Sequence, residues 1–250
     1  MSQYLSGHFF SLTDKGRVRE TNEDYAQGAI NAYGNVLLAV ADGMGGSNKG
    51  EYASLTLVKH IIKSFLSLDK EFKNVRAMSK WLNASIRDAN AIILSKGEKD
   101  PAYKGAGTTL SLCLIVKDIL LTAQVGDSRI YMLEGNKLNQ ISVDQTYVNY
   151  LKHTQKISES EASIRPDRHK LTNAIGTKKR VNVDINFREY HKERLLLCSD
   201  GLYNNVSNSD LTSIVKGNDS IDKKCHQLIA FGNASGGSDN MAVIIWEADK

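Results

Sequence analysis

Apolar and polar positions along the chain change period several times, and each change marks an element. Residues 36–41, VLLAVA, are an unbroken apolar run that stops at Asp42 and the glycines of DGMGG. Such a run predicts a strand buried on both faces. Another strand is predicted over 7–13. Between them, 14–24 (DKGRVRETNED) is polar and reads as a loop, and 32–34 as a turn. Over 49–68 the period becomes three to four: Tyr52, Leu55, Val58 with Leu57, Ile61 and Phe65 share a helical face. Val75, Met78, Leu82, Ile86, Ala89 and Ile93 predict a second helix over 75–96, where Met78 and Trp81 are packing residues.

From 105 the pattern turns strand-like. GAGTTLSLCLIV (105–116) gives a strand after its glycines, 119–125 a second across a tight Lys117-Asp118 connection, and 129–133 a third, with a turn at Gly135-Asn136. The polar stretch 144–179 interrupts, with short helical pieces over 145–154 and 158–164, and a flap is expected over about 145–168. Strands over 181–189 and 195–199, helices over 207–215 and 221–233, and a closing strand over 241–247 complete the chain. This order is not the βαβα alternation of a doubly wound fold. It predicts antiparallel sheets packed together and covered by helices. No internal repeat or linker marks a second domain, so a single domain over 1–250 is expected.

Composition narrows the picture modestly. With 250 residues, 41% hydrophobic and 24% charged, the chain suits an ordinary globular protein with a substantial core. A net charge of +4 without a lysine or arginine block gives no case for nucleic acid. Cys113, Cys198 and Cys225 lack CxxC spacing and read as buried free thiols of a reducing compartment. The first residues show no signal-peptide core, and no window approaches ~18 apolar residues. A cytoplasmic monomer away from membranes is expected.

The candidate chemistry is carboxylate chemistry. Asp42 in VADGMGG, Asp127 in VGDSR, Asp200 in RLLLCSDG and Asp239 in GGSDNMAVIIW each stand between an apolar run and a small or polar turn. Hard oxygen ligands of this kind suit Mg²⁺ or Mn²⁺, and no Cys or His cluster points to zinc. Any one Asp-Gly at a strand end reads as a plain turn; four carboxylates in this strand-end context strain that reading. Neither GMGG nor GAGTT meets a dinucleotide or P-loop pattern. Arg17 and Arg19 lie in the polar loop beside Glu23 and Asp24. They read as solvated charges or, near a metal cluster, as a guanidinium fork for phosphate.

Eight segments in order carry a family resemblance: GRVRETNED (16–24), VADGMGG (40–46), GEYAS (50–54), GAGTTL (105–110), VGDSR (125–129), HKLTNAIG (169–176), LLLCSDGL (195–202) and GGSDNMAV (236–243). Together they resemble the bacterial form of the metal-dependent protein serine/threonine phosphatases, family 2C. The resemblance implies an α+β fold, a four-layer α-β-β-α sandwich with two central antiparallel sheets and a metal cleft at one end. It implies that Asp42 bridges two Mn²⁺ or Mg²⁺ ions, and that the Gly43 carbonyl helps bind one of them. Asp200 and Asp239 would complete the other site, with Glu23 and Asp24 supporting the metals. Asp127 with Asp200 would form a weaker third site. Arg19 would take the substrate phosphate, and Asn240 would orient groups beside the metals. The implied reaction is hydrolysis of phosphoserine and phosphothreonine by a water or hydroxide bridging the ions, without a covalent enzyme intermediate. Phosphoproteins are the implied partners, with a cognate serine/threonine kinase opposed. Two positions depart from relatives: Met44 and Ser47 stand where some carry His. The proton donor is therefore unassigned between a metal-bound water and His169. The flap sequence does not specify the substrate. Two alternatives stand beside this reading: a catalytically inactive pseudophosphatase that binds phosphoproteins, and a metal hydrolase of small phosphorylated metabolites.

Overall fold

The computed structural model describes residues 6–46, 49–155 and 157–249. Residues 1–5, Ser47 with its neighbour 48, and positions 156 and 250 lie outside it. Two five-stranded antiparallel sheets dominate. One runs β1 (Gly7–Asp14), β12 (Met241–Ala248), β11 (Arg194–Cys198), β8 (Arg129–Glu134), β9 (Lys137–Gln140). The other runs β10 (Asp184–Glu189), β7 (Ile119–Val125), β6 (Leu110–Val116), β3 (Val36–Ala41), β2 (Tyr25–Ile30). A small ribbon pairs β4 (Gly43–Met44) with β5 (Gly107–Thr108).

The burial pattern of β3 explains the layers. Val36, Leu38 and Val40 face the other sheet, where they meet Ile130, Leu195, Leu197, Ile244 and Trp246. Leu37, Ala39 and Ala41 point the opposite way, onto α1 (Lys49–Leu66) and α2 (Val75–Lys99). Alternate residues of a strand leave opposite faces, so a strand covered on both sides reads as continuously apolar. On the far side, Leu196, Cys198, Val243 and Ile245 pack beneath α6 (Asn208–Lys216) and α7 (Ile221–Ala234). The result is the expected four-layer α-β-β-α sandwich. The three cysteines are buried free thiols. Among the described residues, no helix is long and apolar enough to cross a membrane.

Several elements differ from the sequence expectation. β2 was not expected; YAQGAI has little alternation because it is a half-buried edge strand, and Gly28 lets the ring of Phe9 press onto it. The paired β4 and β5, the short β9 and α5 (Asp200–Tyr203) carry too few residues to leave a period. β10 begins at Asp184 rather than 181, and α2 extends three residues past 96 to Lys99.

The stretch 145–168 contains α3 (Tyr147–Gln155) and α4 (Glu159–Ser163). Its two roots are joined: Tyr147 N–H donates to Lys170 O at 2.8 Å, and Thr172 N–H to Gln145 O at 2.9 Å. The excursion therefore leaves and re-enters the sandwich at one place.

Candidate active site

Antiparallel register gathers the acidic residues at one end of the sandwich. Tyr25 pairs with Ala41, so Asp24 and Asp42 leave neighbouring strands at the same edge. Leu110 pairs with Val125, which brings the β7–β8 turn bearing Asp127 to that edge. Cys198 pairs with Val243, and both strands end there: Asp200 opens α5, and Asp239 precedes β12.

Local bonding holds this end rigid. Asp42 donates its N–H to Thr109 Oγ1 at 2.9 Å. Its carbonyl accepts from Thr109 N–H at 2.9 Å and from Thr108 Oγ1 at 3.0 Å. Gly43 allows a close approach that no side chain would: a Cβ there would lie 2.3 Å from Gly50 O and 2.4 Å from Glu23 O. Asn240 ties down the 15–24 loop, accepting Glu23 N–H at 2.9 Å and donating to Lys15 O and Thr21 O at 2.9 and 2.8 Å. Gly16, at φ +77°, turns the loop tightly against the Asp239 carbonyl. Arg19 consequently reaches Asp239, Nη2 to Oδ2 at 2.8 Å, and its side chain is half exposed.

The carboxylates perturb one another. Burial, then the charges of Asp200 and Asp239, pushes Asp24 up to about 8, partly offset by the Ser199 hydroxyl. Burial and the charges of Asp24, Asp200, Asp127 and Asp239 hold Asp42 well above the ordinary carboxylate range. Burial with Asp200 and Asp144 pushes Asp127 up to about 8. Asp200 is raised by burial and Asp239. Glu23 is raised by burial, against the pull of the Gly50 amide and Arg19. Asp24 Oδ2 and Glu23 Oε1 are buried without a hydrogen-bond partner. A buried anionic oxygen with no donor is costly, and divalent cations are the partners that relieve several such oxygens at once. The donor set is all oxygen, which fits Mg²⁺ or Mn²⁺. Among the described residues, no three acidic, His or Cys groups yet form a closed cation shell. Asp239 is paired with Arg19.

Beside this cluster opens a cleft of about 500 Å³, lined among others by Arg168, His169, Asp200 and Asp239. The structure thus brings His169 to the same cleft as two of the predicted ligands. Met44 sits in β4, with its Cγ against Gly107.

One group of residues escaped sequence reasoning. Arg129 Nε and Nη2 clasp Asp144 at 3.0 and 2.7 Å, and its guanidinium stacks 3.5 Å over the Tyr203 ring. The Tyr203 hydroxyl donates to Asp127 O at 3.1 Å. These side chains join Asp127 to the root of the 145–168 excursion. Arg129 was visible in VGDSR, but Asp144 and Tyr203 carry no local signal. Their roles depend on residues 15 and 74 positions away.

Comparisons with known proteins fit this architecture. A solved serine/threonine phosphatase of S. agalactiae superposes with a TM-score of 0.90 at 32% identity, covering 97% of this chain and 100% of that one. The catalytic domain of the serine/threonine phosphatase PstP, solved with two manganese ions, gives a TM-score of 0.84 at 31% identity, with 98% and 100% covered. Fold and site thus define the class, a protein serine/threonine phosphatase. The chain belongs to the protein phosphatase 2C family, whose model matches residues 15–235. It is similar to the serine/threonine phosphatase stp of Listeria welshimeri, 34% identical over 236 residues, 94% of this chain and 93% of that protein.

Proposed function

We propose that the chain removes phosphate from phosphoserine and phosphothreonine of proteins at the Asp42 cluster, with two Mn²⁺ or Mg²⁺ ions and no covalent enzyme intermediate. The observation that carries this reading is the convergence of Asp24, Asp42, Asp127 and Asp200 at one end of the sandwich, beside buried oxygens of Asp24 and Glu23 that lack donors. When bound, such ions would supply an acidified water and positive charge for the phosphoryl oxygens. Asp42 would hold both, and the Gly43 carbonyl would help bind one of them; Asp200 and Asp239 would complete the set, supported by Glu23 and Asp24. Asp127 with Asp200 would hold a weaker third ion.

The chain's own residues do the rest. Arg19, half exposed at the rim, presents a guanidinium fork to the phosphate. Asn240 positions the Glu23 backbone. His169 lines the cleft with Asp200 and Asp239 and would be one candidate to give the leaving serine or threonine oxygen its proton. The excursion 145–168 is the flap of a single catalytic domain. A cytoplasmic monomer opposed to a serine/threonine kinase is the setting this reading expects.

Phosphate release from a phosphothreonine peptide, with Mn²⁺ and then with excess EDTA, tests the proposal. Turnover should require metal and fall at least about 100-fold in Asp239→Asn. Activity that survives EDTA, or an unimpaired Asp239→Asn variant, would refute it. Metal-loaded, folded protein without turnover would favour the phosphoprotein-binding alternative. Faster turnover of sugar phosphates than of phosphopeptides would favour the metabolite hydrolase.

A further inference from the structure

A fixed basic shelf borders the carboxylate end of the sandwich. Three stretches meet there. β4 pairs with β5, and Thr108 of β5 exchanges both backbone hydrogen bonds with Ile175, at 2.9 and 3.0 Å. The same Thr108 donates its hydroxyl to the Asp42 carbonyl. A Cβ on Gly107 would lie 2.8 Å from Thr177 Cγ2 and 3.1 Å from Met44 Cγ. The stretch 177–180, TKKR, therefore begins in contact with the ribbon that continues from Asp42.

A single buried side chain anchors this loop. Asn90 of α2 is 4% exposed. Its Nδ2 donates to the Lys178 carbonyl at 3.0 Å, and its Oδ1 accepts the Gly176 N–H at 2.7 Å. Lys178, Lys179 and Arg180 are exposed beyond that anchor. Lys104 is exposed on the neighbouring stretch, and Lys49 lies beside Gly45, whose Cβ position is 3.2 Å from Lys49 Cβ and 3.0 Å from Gly105 O.

Among the described residues, the charges on this shelf have no carboxylate partner, unlike the paired cations that brace the fold. Arg19, Lys96, Arg129 and Arg194 each face a carboxylate. Lys49, Lys104, Lys178, Lys179 and Arg180 form no ion pair among the described residues. No acidic residue occurs in 101–117 or 169–183. A basic rim attracts an acidic polypeptide and orients it. A backbone already held in place loses little freedom when it binds.

We propose that this shelf docks an acidic stretch of the phosphoprotein substrate, flanking the phosphorylated residue, so that the enzyme selects phosphosites in acidic contexts. The proposal rests on the phosphatase reading above. Its test uses matched phosphothreonine peptides with acidic, neutral or basic flanks, and p-nitrophenyl phosphate as a flankless substrate. At low salt the acidic-flanked peptide should show a KM about five- to tenfold below the neutral one, with similar kcat, and the gap should close at high salt. Lys178→Glu/Lys179→Glu/Arg180→Glu should abolish that preference and favour the basic-flanked peptide. Its turnover of p-nitrophenyl phosphate should be unchanged, which also reports that the variant is folded. A fluorescent acidic peptide without phosphate should bind the wild type, by anisotropy, and not the variant. Equal KM values for acidic and neutral peptides, or a preference that survives the triple substitution, would overturn the proposal. Absence of turnover on every substrate, with acidic-peptide binding still lost in the variant, would overturn the phosphatase reading while supporting the shelf.

Discussion

Asp42 shows how a single residue acquires its chemistry from its surroundings. In the sequence it is an aspartate before a glycine; in the fold four other carboxylates and burial raise its pKa. His169 gains its significance in the same way, by lining the cleft with Asp200 and Asp239. If it protonates the leaving alkoxide, His169→Gln should slow phosphothreonine-peptide turnover about 100-fold or more. It should barely affect p-nitrophenyl phosphate, whose leaving group needs no proton. Equal losses on both substrates would assign His169 a structural role instead. Gly43 illustrates a purely steric demand. A Cβ there collides with backbone oxygens of Gly50 and Glu23, atoms that cannot rotate away. Gly43→Ala should destabilise the protein by about 2–3 kcal/mol in urea unfolding and abolish metal-dependent turnover.

Elements position these residues by their ends. β3, β11 and β12 present carboxylates because each stops, or starts, at the same edge. β2 was not legible because an edge strand half open to solvent needs no alternation. The long helices α1 and α2 were legible because each buries one stripe over four or more turns. The root of the 145–168 excursion depends on a different device, the Arg129–Asp144 clasp against Tyr203. Asp144 is 9% exposed, so removing its charge leaves Arg129 partly buried without its partner. Asp144→Ala should cost about 2–4 kcal/mol. It should also hasten proteolytic cleavage between α3 and α4, and lower kcat/KM for phosphopeptides more than for p-nitrophenyl phosphate. Unchanged proteolysis would show that the clasp does not restrain the excursion.

For the whole molecule, the acidic cluster makes stability depend on metal and on pH together. Asp24 and Asp127 are pushed up to about 8 in the folded protein, against about 3.9 for an unfolded aspartate. Between those values the folded state holds protons that the unfolded state has released, so stability falls as pH rises. The EDTA-stripped protein should therefore melt at progressively lower temperature from pH 5 to pH 8. Saturating Mn²⁺ should raise Tm by about 5–10 °C near pH 8, as about 2.7 kcal/mol of linkage at a hundredfold excess over Kd implies. The metal increment should shrink toward pH 5, because cation and protons compete for the same oxygens. A flat profile in EDTA, or no response to Mn²⁺, would count against a shared carboxylate site.

The sequence by itself determined the main elements and that antiparallel sheets are covered by helices, because a half-exposed helix carries a period of three to four and a strand buried on both faces reads as an unbroken apolar run. The four-layer order followed from the family resemblance. The sequence also determined which carboxylates stand at strand ends, since an apolar run must stop where a charge begins, and the eight ordered segments pointed to the family. Only the tertiary structure decided that those carboxylates meet, because convergence depends on strand register between segments up to about two hundred residues apart. It alone paired Arg19 with Asp239, joined Asp127 to the excursion through Arg129, Asp144 and Tyr203, and set the TKKR loop beside the site through Asn90. Each of these is a contact between side chains or backbones remote in sequence, and such contacts leave no periodic trace in the chain.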